Sequence, residues 1–146
     1  MLVLCHGCFD LLHIGHLRYL EYAKSLGTRL IVTVTADQYV KKGPGRPLFN
    51  EADRLSMIKA LKCVDHAEIN YHPTALEAIF IHRPDIYCKG QDYQQPTPEL
   101  ELERQAVEKC GGKLLIATTP KWSSTEIMKN LSISMDSLKQ SRPNIN

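Results

Sequence analysis

The sequence predicts an α/β protein, a single domain on a parallel sheet of five strands joined by helices. Three observations lead to this. Short apolar or β-branched runs alternate with stretches of helical periodicity along most of the 146 residues. The segments between successive runs are long enough to hold a helix, and strand–helix–strand units of this kind form right-handed crossovers and a parallel sheet. No internal repeat breaks the alternation.

Each element has a local reason. Val3 to Cys5 is too short for anything but a strand, and Leu30 to Thr35 (Leu-Ile-Val-Thr-Val-Thr) is a β-branched run of the buried parallel kind. Between them Leu17, Leu20, Ala23 and Leu26 mark the inner face of a helix ending at Gly27, read as its C-terminal cap. Asn50 caps a second helix running to about Lys62, with Leu55, Ile58 and Leu61 inward. His66 to Asn70 reads as a strand. Thr74 to His82 reads as a helix halted before Arg83-Pro84. Asp85 to Cys88 is the next strand, Glu99 to Cys110 a helix closing on Gly111-Gly112, and Lys113 to Thr118 the fifth strand. A last helix starts near Ser123 or Ser124. The folded domain is expected over residues 1–131, with 132–146 a polar C-terminal tail.

Composition narrows the function. Apolar residues make up 43% and charged residues 23%, as in ordinary globular proteins, and a formal charge of +2 gives no basis for a nucleic-acid or membrane partner. The basic residues Lys41, Lys42 and Arg46 cluster locally, which points to a small anionic ligand instead. No apolar run approaches the ~20 residues of a membrane helix. The start lacks the pattern of a signal peptide. Five cysteines, at 5, 8, 63, 88 and 110, are an odd and scattered set unsuited to a disulfide framework. A cytoplasmic protein is expected.

The most informative segment is Gly7-Cys8-Phe9-Asp10-Leu11-Leu12-His13-Ile14-Gly15-His16, between the first strand and the first helix. Helix starts present free N–H groups and the positive end of the helix dipole, so they attract phosphate. His13 and His16, three apart, share a helical face. Open parallel sheets bind ligands beyond the carboxyl ends of their strands. Lys89 to Tyr93 and Pro120 to Thr125 also follow strands directly, and Lys41 to Arg46 follows the second strand after a short connection, so topology gathers all four segments on one edge.

The decapeptide matches every defining position of Gly-x-Phe-Asp-x-x-His-x-Gly-His, and here the chain resembles the cytidylyltransferase-like nucleotidyltransferases. Lys42-Gly43-Pro44, Arg46-Pro47, Asn50-Glu51, Arg54, Ala60-Leu61, Val64-Asp65, Pro84-Asp85-Ile86 and Lys89-Gly90-Gln91-Asp92-Tyr93 extend the likeness. These resemble the adenylyltransferase domain of the bacterial ADP-heptose synthase. Two departures stand out. The Arg-Thr-x-Gly-Ile lead-in of the cytidine-using relatives is replaced by Thr119-Pro120-Lys121-Trp122, and Gln91 stands where the heptose type has a second glycine.

The resemblance implies a Rossmann-like five-stranded parallel sheet with helices on both faces. It also implies attack of a substrate phosphate on the α-phosphorus of a nucleoside triphosphate, with release of pyrophosphate. His13, His16 and Lys42 would be catalytic, neutralising charge on the transferring and leaving phosphates. Gly7, Cys8, Phe9, Asp10 and Gly15 would form the nucleotide loop, with Asp10 ordering it rather than acting as a base. Lys89, Gly90 and Asp92 would meet the base or sugar, and Ser123, Ser124 and Thr125 would cap the last helix and present hydroxyls and amides to phosphate. Arg46 would close over the phosphates; Arg54 would reach phosphate or pair with Glu51. No side-chain metal site is expected, and Mg²⁺ would be held mainly by the nucleotide phosphates.

The expected partners are ATP, or CTP as the alternative, and a phosphorylated sugar such as heptose 1-phosphate, with glycerol 3-phosphate or a similar ester as the alternative acceptor; a homodimer fits the likeness. Other classes compete less well. Cys5-His6-Gly7-Cys8 is formally a redox Cys-x-x-Cys, or half a zinc site, but Cys5 falls within the first strand and no second ligand pair exists. A class I aminoacyl-tRNA synthetase would need a far longer chain. A non-catalytic nucleotide sensor is the alternative of another class, and intact His13, His16 and Lys42 favour activity over it.

Overall fold

The computed structural model describes residues 1–90, 97–119 and 126–133. Along the chain run β1 (Leu2–Gly7), α1 (Ile14–Ser25), β2 (Arg29–Thr35), a 3₁₀ turn (Asp37–Tyr39), α2 (Glu51–Lys59), β3 (His66–Asn70), α3 (Leu76–His82), β4 (Ile86–Lys89), α4 (Pro98–Lys109) and β5 (Lys113–Ile116). Residues 126–133 are helical, so that helix runs past the boundary expected at 131.

The five strands form one parallel sheet in the order β3-β2-β1-β4-β5. The order reverses at β1, which opens a crevice between the ends of β1 and β4. Helices cover both faces. Val3, Cys5, Val32, Val34 and Cys88 pack with Leu20 and Ala23 of α1 and Ile58 of α2. The alternate residues Leu4, Ile31 and Tyr87 pack on the other face with Ile79 of α3 and with Leu100 and Val107 of α4. Strand side chains point alternately to opposite faces, which is why one run of residues feeds two cores. Each fully buried Leu or Ile in them contributes ~1.5–3 kcal/mol.

The starts of β1 and β2 are held by carboxylates from elsewhere in the chain. Asp85 accepts the Leu2 N–H at 2.7 Å and Asp65 accepts the Leu30 N–H at 2.7 Å. Boundaries moved where tertiary pairing overrides local pattern. β1 extends through His6 and Gly7 because they pair with Thr33 and Val34. α1 starts at Ile14, three residues before its apolar face, because His13 caps it. Gly27 has a different role from the cap role read in the sequence. The cap residue is Leu26, and a Cβ on Gly27 would lie 2.5 Å from the Met1 carbonyl oxygen. Close approach of two chain segments is what requires glycine there. Among the described residues no helix is long and apolar enough to cross a membrane.

Candidate active site

The β1–α1 turn is built around Phe9, a residue only 4% exposed whose backbone takes the left-handed φ of 55°. The ring fills the space over Gly7, where a Cβ would meet Phe9 Cζ at 3.0 Å. So Gly7 is glycine chiefly to seat this ring, which then stands edge-on to the His16 ring at 5.4 Å.

His13 is the N-cap residue of α1. Its Nδ1 accepts the Gly15 N–H at 3.0 Å, and His16 Nδ1 accepts the His13 N–H at 3.2 Å. Accepting at Nδ1 fixes the neutral tautomer of each ring with its proton on Nε2. The rings stack with centroids 3.9 Å apart. Burial, and then the charge of Lys42, lowers the His13 pKa, so this ring stays neutral near pH 7. Its Nε2 is buried and has no hydrogen-bond partner in the described structure. An unpaired buried donor is costly and rare, so this one calls for a partner from outside the chain. The first turn of α1 carries no acidic residue, so the positive end of the helix dipole stands open beside it.

Asp10 anchors the next loop. Its carboxylate is 0% exposed and accepts the Leu48 and Phe49 N–H groups at 2.8 and 3.2 Å and Arg46 Nε at 3.0 Å. Burial alone would raise its pKa; the two amides and Arg46 outweigh that and hold it below the usual carboxylate value. The Asp10 carbonyl accepts from Arg46 Nη2 and, at 3.3 Å, from Lys42 Nζ. The expectation that Asp10 orders its loop fits this arrangement. A direct contact of its carboxylate with nucleotide does not, because those oxygens are already occupied.

The basic residues divide. Lys42 remains exposed beside the His13 loop. Arg46 is turned onto Asp10 with its side chain only 8% exposed, so in this conformation it does not face an open phosphate site. Arg54 departs from both places expected of it, because its guanidinium is taken up by other parts of the chain. It is 1% exposed, forms an ion pair with Asp37 at 2.6 Å, and donates to the carbonyls of Cys8, Thr35 and Phe49 at 2.9, 2.7 and 2.9 Å. Glu51 instead accepts the Asp37 N–H at 3.0 Å.

Lys89 also departs from its expected place against the nucleotide. Its side chain is 6% exposed, pairs with Glu103 Oε2 at 3.0 Å, and faces α3 and α4 rather than α1. Gly90 follows at the sheet edge, and a Cβ there would meet nothing within 4 Å. Cys8 is half-buried, and burial raises its thiol pKa. Cys5 is fully buried with its thiol raised further, the reverse of a redox-active thiolate. Asp92, Ser123, Ser124 and Thr125 lie outside the described residues. Among the described residues no group of three His, Cys, Asp or Glu side chains could hold a metal.

Two residues of this edge escaped the sequence reading. His6 is the last residue but one of β1, with Nδ1 2.9 Å from Thr33 Oγ1; burial, and then the Lys89 charge, pushes its pKa down to about 4. Glu103 is buried among Leu100, Ala106 and Val107 on the inner face of α4. An acid in the middle of an apolar helical stripe was the available signal.

Residues 4–130 match the cytidylyltransferase-like family. The chain is 40% identical over 132 residues to the bifunctional protein HldE of Syntrophotalea carbinolica, covering 88% of this chain and 26% of that protein. It is 39% identical over 133 residues to the HldE of Pelobacter propionicus, covering 89% and 27%. The chain thus spans about a quarter of these curated relatives. The crystal structure of the lipopolysaccharide core biosynthesis protein from Thermoplasma volcanium superposes with a TM-score of 0.68 at 33% identity, covering 84% of this chain and 98% of that one. A pantoate-beta-alanine ligase from Francisella tularensis shares the fold, with a TM-score of 0.58 at 16% identity over 99% of this chain and 73% of that one. Motif, sheet order and these likenesses agree, and the chain belongs to the cytidylyltransferase-like family of nucleotidyltransferases.

Proposed function

We propose that the protein transfers AMP from ATP to a phosphorylated sugar of the heptose 1-phosphate type and releases pyrophosphate. The observation that carries the reading is the buried, unpartnered Nε2–H of His13 at the open head of α1. Likeness to the HldE proteins supports the choice of ATP and sugar phosphate.

In this reading the acceptor phosphate attacks the α-phosphorus in line and pyrophosphate leaves from the opposite side. The chain supplies no covalent nucleophile. His13 donates from Nε2 to a phosphate oxygen, and its neutral state lets it do so without a proton-transfer step. His16 holds the His13 backbone and stacks on its ring, which fixes the direction of that donor. Lys42 supplies positive charge for the leaving pyrophosphate. Donors fixed before the reaction need no reorganisation as charge develops, and one of them is commonly worth ~10²–10³ in rate. Mg²⁺ would neutralise the triphosphate and travel with it, since the nitrogen donors of this site suit phosphate oxygens rather than a hard cation.

The test is pyrophosphate release with ATP or CTP against heptose 1-phosphate, glycerol 3-phosphate, ethanolamine phosphate and flavin mononucleotide. ATP with the heptose ester should give the highest kcat/KM, and His16→Ala should abolish it while the protein still folds. Activity with CTP alone would overturn the adenylyl assignment. Nucleotide binding without pyrophosphate from any pair would favour a sensor.

A further inference from the structure

A side chain from α1 bridges the crevice where the strand order reverses. β1 follows β2 along its whole length, from Leu2 opposite Arg29 to Gly7 opposite Val34. It pairs with β4 only at Val3 opposite Ile86 and Leu4 opposite Tyr87. β4 continues beside β5 as far as Lys89 opposite Ile116. Beyond Leu4 and Tyr87 the sheet therefore runs as two halves, β3-β2-β1 and β4-β5, with the crevice between them.

The parting of the strands leaves a carbonyl to be satisfied. Backbone groups of successive strand residues face opposite neighbours. The Lys89 carbonyl faces β5 and accepts the Ala117 N–H at 2.8 Å, so the Cys88 carbonyl faces β1, past the last paired residues. Cys88 is fully buried, and an unmet carbonyl there would be costly. The Tyr19 hydroxyl donates to it at 2.5 Å.

Tyr19 lies three residues on from His16, on the same side of α1, and is 9% exposed. Burial raises its hydroxyl pKa well above the ordinary value, which keeps it a donor. One hydrogen bond thus joins the helix whose head carries His13 and His16 to the strand that runs out at Lys89 and Gly90.

Resting on the nucleotidyltransferase reading, we propose that Tyr19 is a positioning residue that fixes the width of the crevice. A nucleoside triphosphate laid across it has its phosphates at the head of α1 and its nucleoside against the backbone at Gly90. Both ends are met together at one separation only. Tyr19 touches neither end and acts through α1 and β4.

Tyr19→Phe removes the hydroxyl and keeps the ring. Calorimetry compares ATP, which spans the crevice, with tripolyphosphate, which reaches only the head of α1. ATP affinity should fall about tenfold, the worth of one hydrogen bond, while tripolyphosphate affinity stays unchanged. With the α-phosphorus misplaced, kcat should fall about ten- to hundredfold. Lower stability with both affinities and kcat at wild-type values would reduce the hydroxyl to a structural role and overturn the proposal, as would equal weakening of the two ligands. Hydrogen exchange of the wild-type protein serves should Tyr19→Phe not fold. ATP should slow exchange in 86–90 as well as in 13–19, and tripolyphosphate in 13–19 alone. ATP protection confined to 13–19, or matched by tripolyphosphate, would overturn the proposal. The affinity split without pyrophosphate release from any pair would instead refute the catalytic reading and leave the role of Tyr19 standing.

Discussion

Replacing Arg54 with methionine keeps the length of the side chain and removes the guanidinium that ties three segments together. The carbonyls of Cys8, Thr35 and Phe49 each lose a charged donor at 2.7–2.9 Å. Hydrogen bonds to charged groups contribute ~1.5–3 kcal/mol each, so three give about 5–9 kcal/mol before relaxation. Methionine fills most of the volume and gains some transfer energy, and water can reach part of the opened site. The Asp37 carboxylate, 39% exposed, rehydrates and adds little. A net loss of about 3–5 kcal/mol follows, in line with breaking buried ion pairs in general. For a domain of this size that lowers Tm by roughly 10–15 °C. Thermal and urea unfolding of Arg54→Met followed by far-UV circular dichroism measure it directly. Arg54→Lys should recover only part of the loss, because one ammonium cannot span three carbonyls. A phosphate-facing arginine behaves otherwise: its removal relieves like charge near Lys42, leaves stability unchanged and raises the KM for ATP. Stability of Arg54→Met within about 1 kcal/mol of wild type would refute the clamp.

Four further outcomes are expected. Asparagine caps helices as well as any residue, so His13→Asn should keep stability within about 1 kcal/mol while losing the Nε2 donor, and pyrophosphate release should fall ~10²–10³; a rate within about threefold of wild type would rule out a phosphate contact. His6 titrates near 6.5 in the unfolded chain and about 4 in the fold, so the unfolded state takes up the extra proton between those values. Stability should be full above pH 6.5 and decline by up to about 3 kcal/mol toward pH 4, and His6→Gln should flatten the urea midpoint across that window. Gly112→Ala drives a Cβ into the Pro84 carbonyl and should destabilise measurably. Gly90→Ala meets open space, so it should leave unfolding unchanged and raise the KM for ATP if the backbone there approaches the nucleotide.

The sheet was legible because parallel strands buried on both faces are written as apolar runs, and β2, β3 and β5 start within a residue of where those runs begin. The roles of single polar residues were less legible. Nothing near Arg54 in the chain says that it is buried, since its partners come from residues 8, 35, 37 and 49 and meet only once the β1–α1–β2 crossover has formed. Lys89 reads as a ligand-edge cation until Glu103 arrives from α4, fourteen residues on.

The same division runs through the decapeptide itself. Gly7, Phe9 and Asp10 are consumed by the fold: one makes room for a ring, one is that ring, and one anchors the 46–49 loop. His13 and His16 answer backbone N–H groups with Nδ1 and thereby commit Nε2 to donating. The capping bond of His13 costs the site nothing, because a histidine has a second nitrogen. A serine or aspartate would cap α1 as well and leave no aimed N–H behind. Imidazole at this cap position therefore has a chemical reason that helix stability does not supply, and the unpaired buried Nε2 of His13 is where the reason becomes visible.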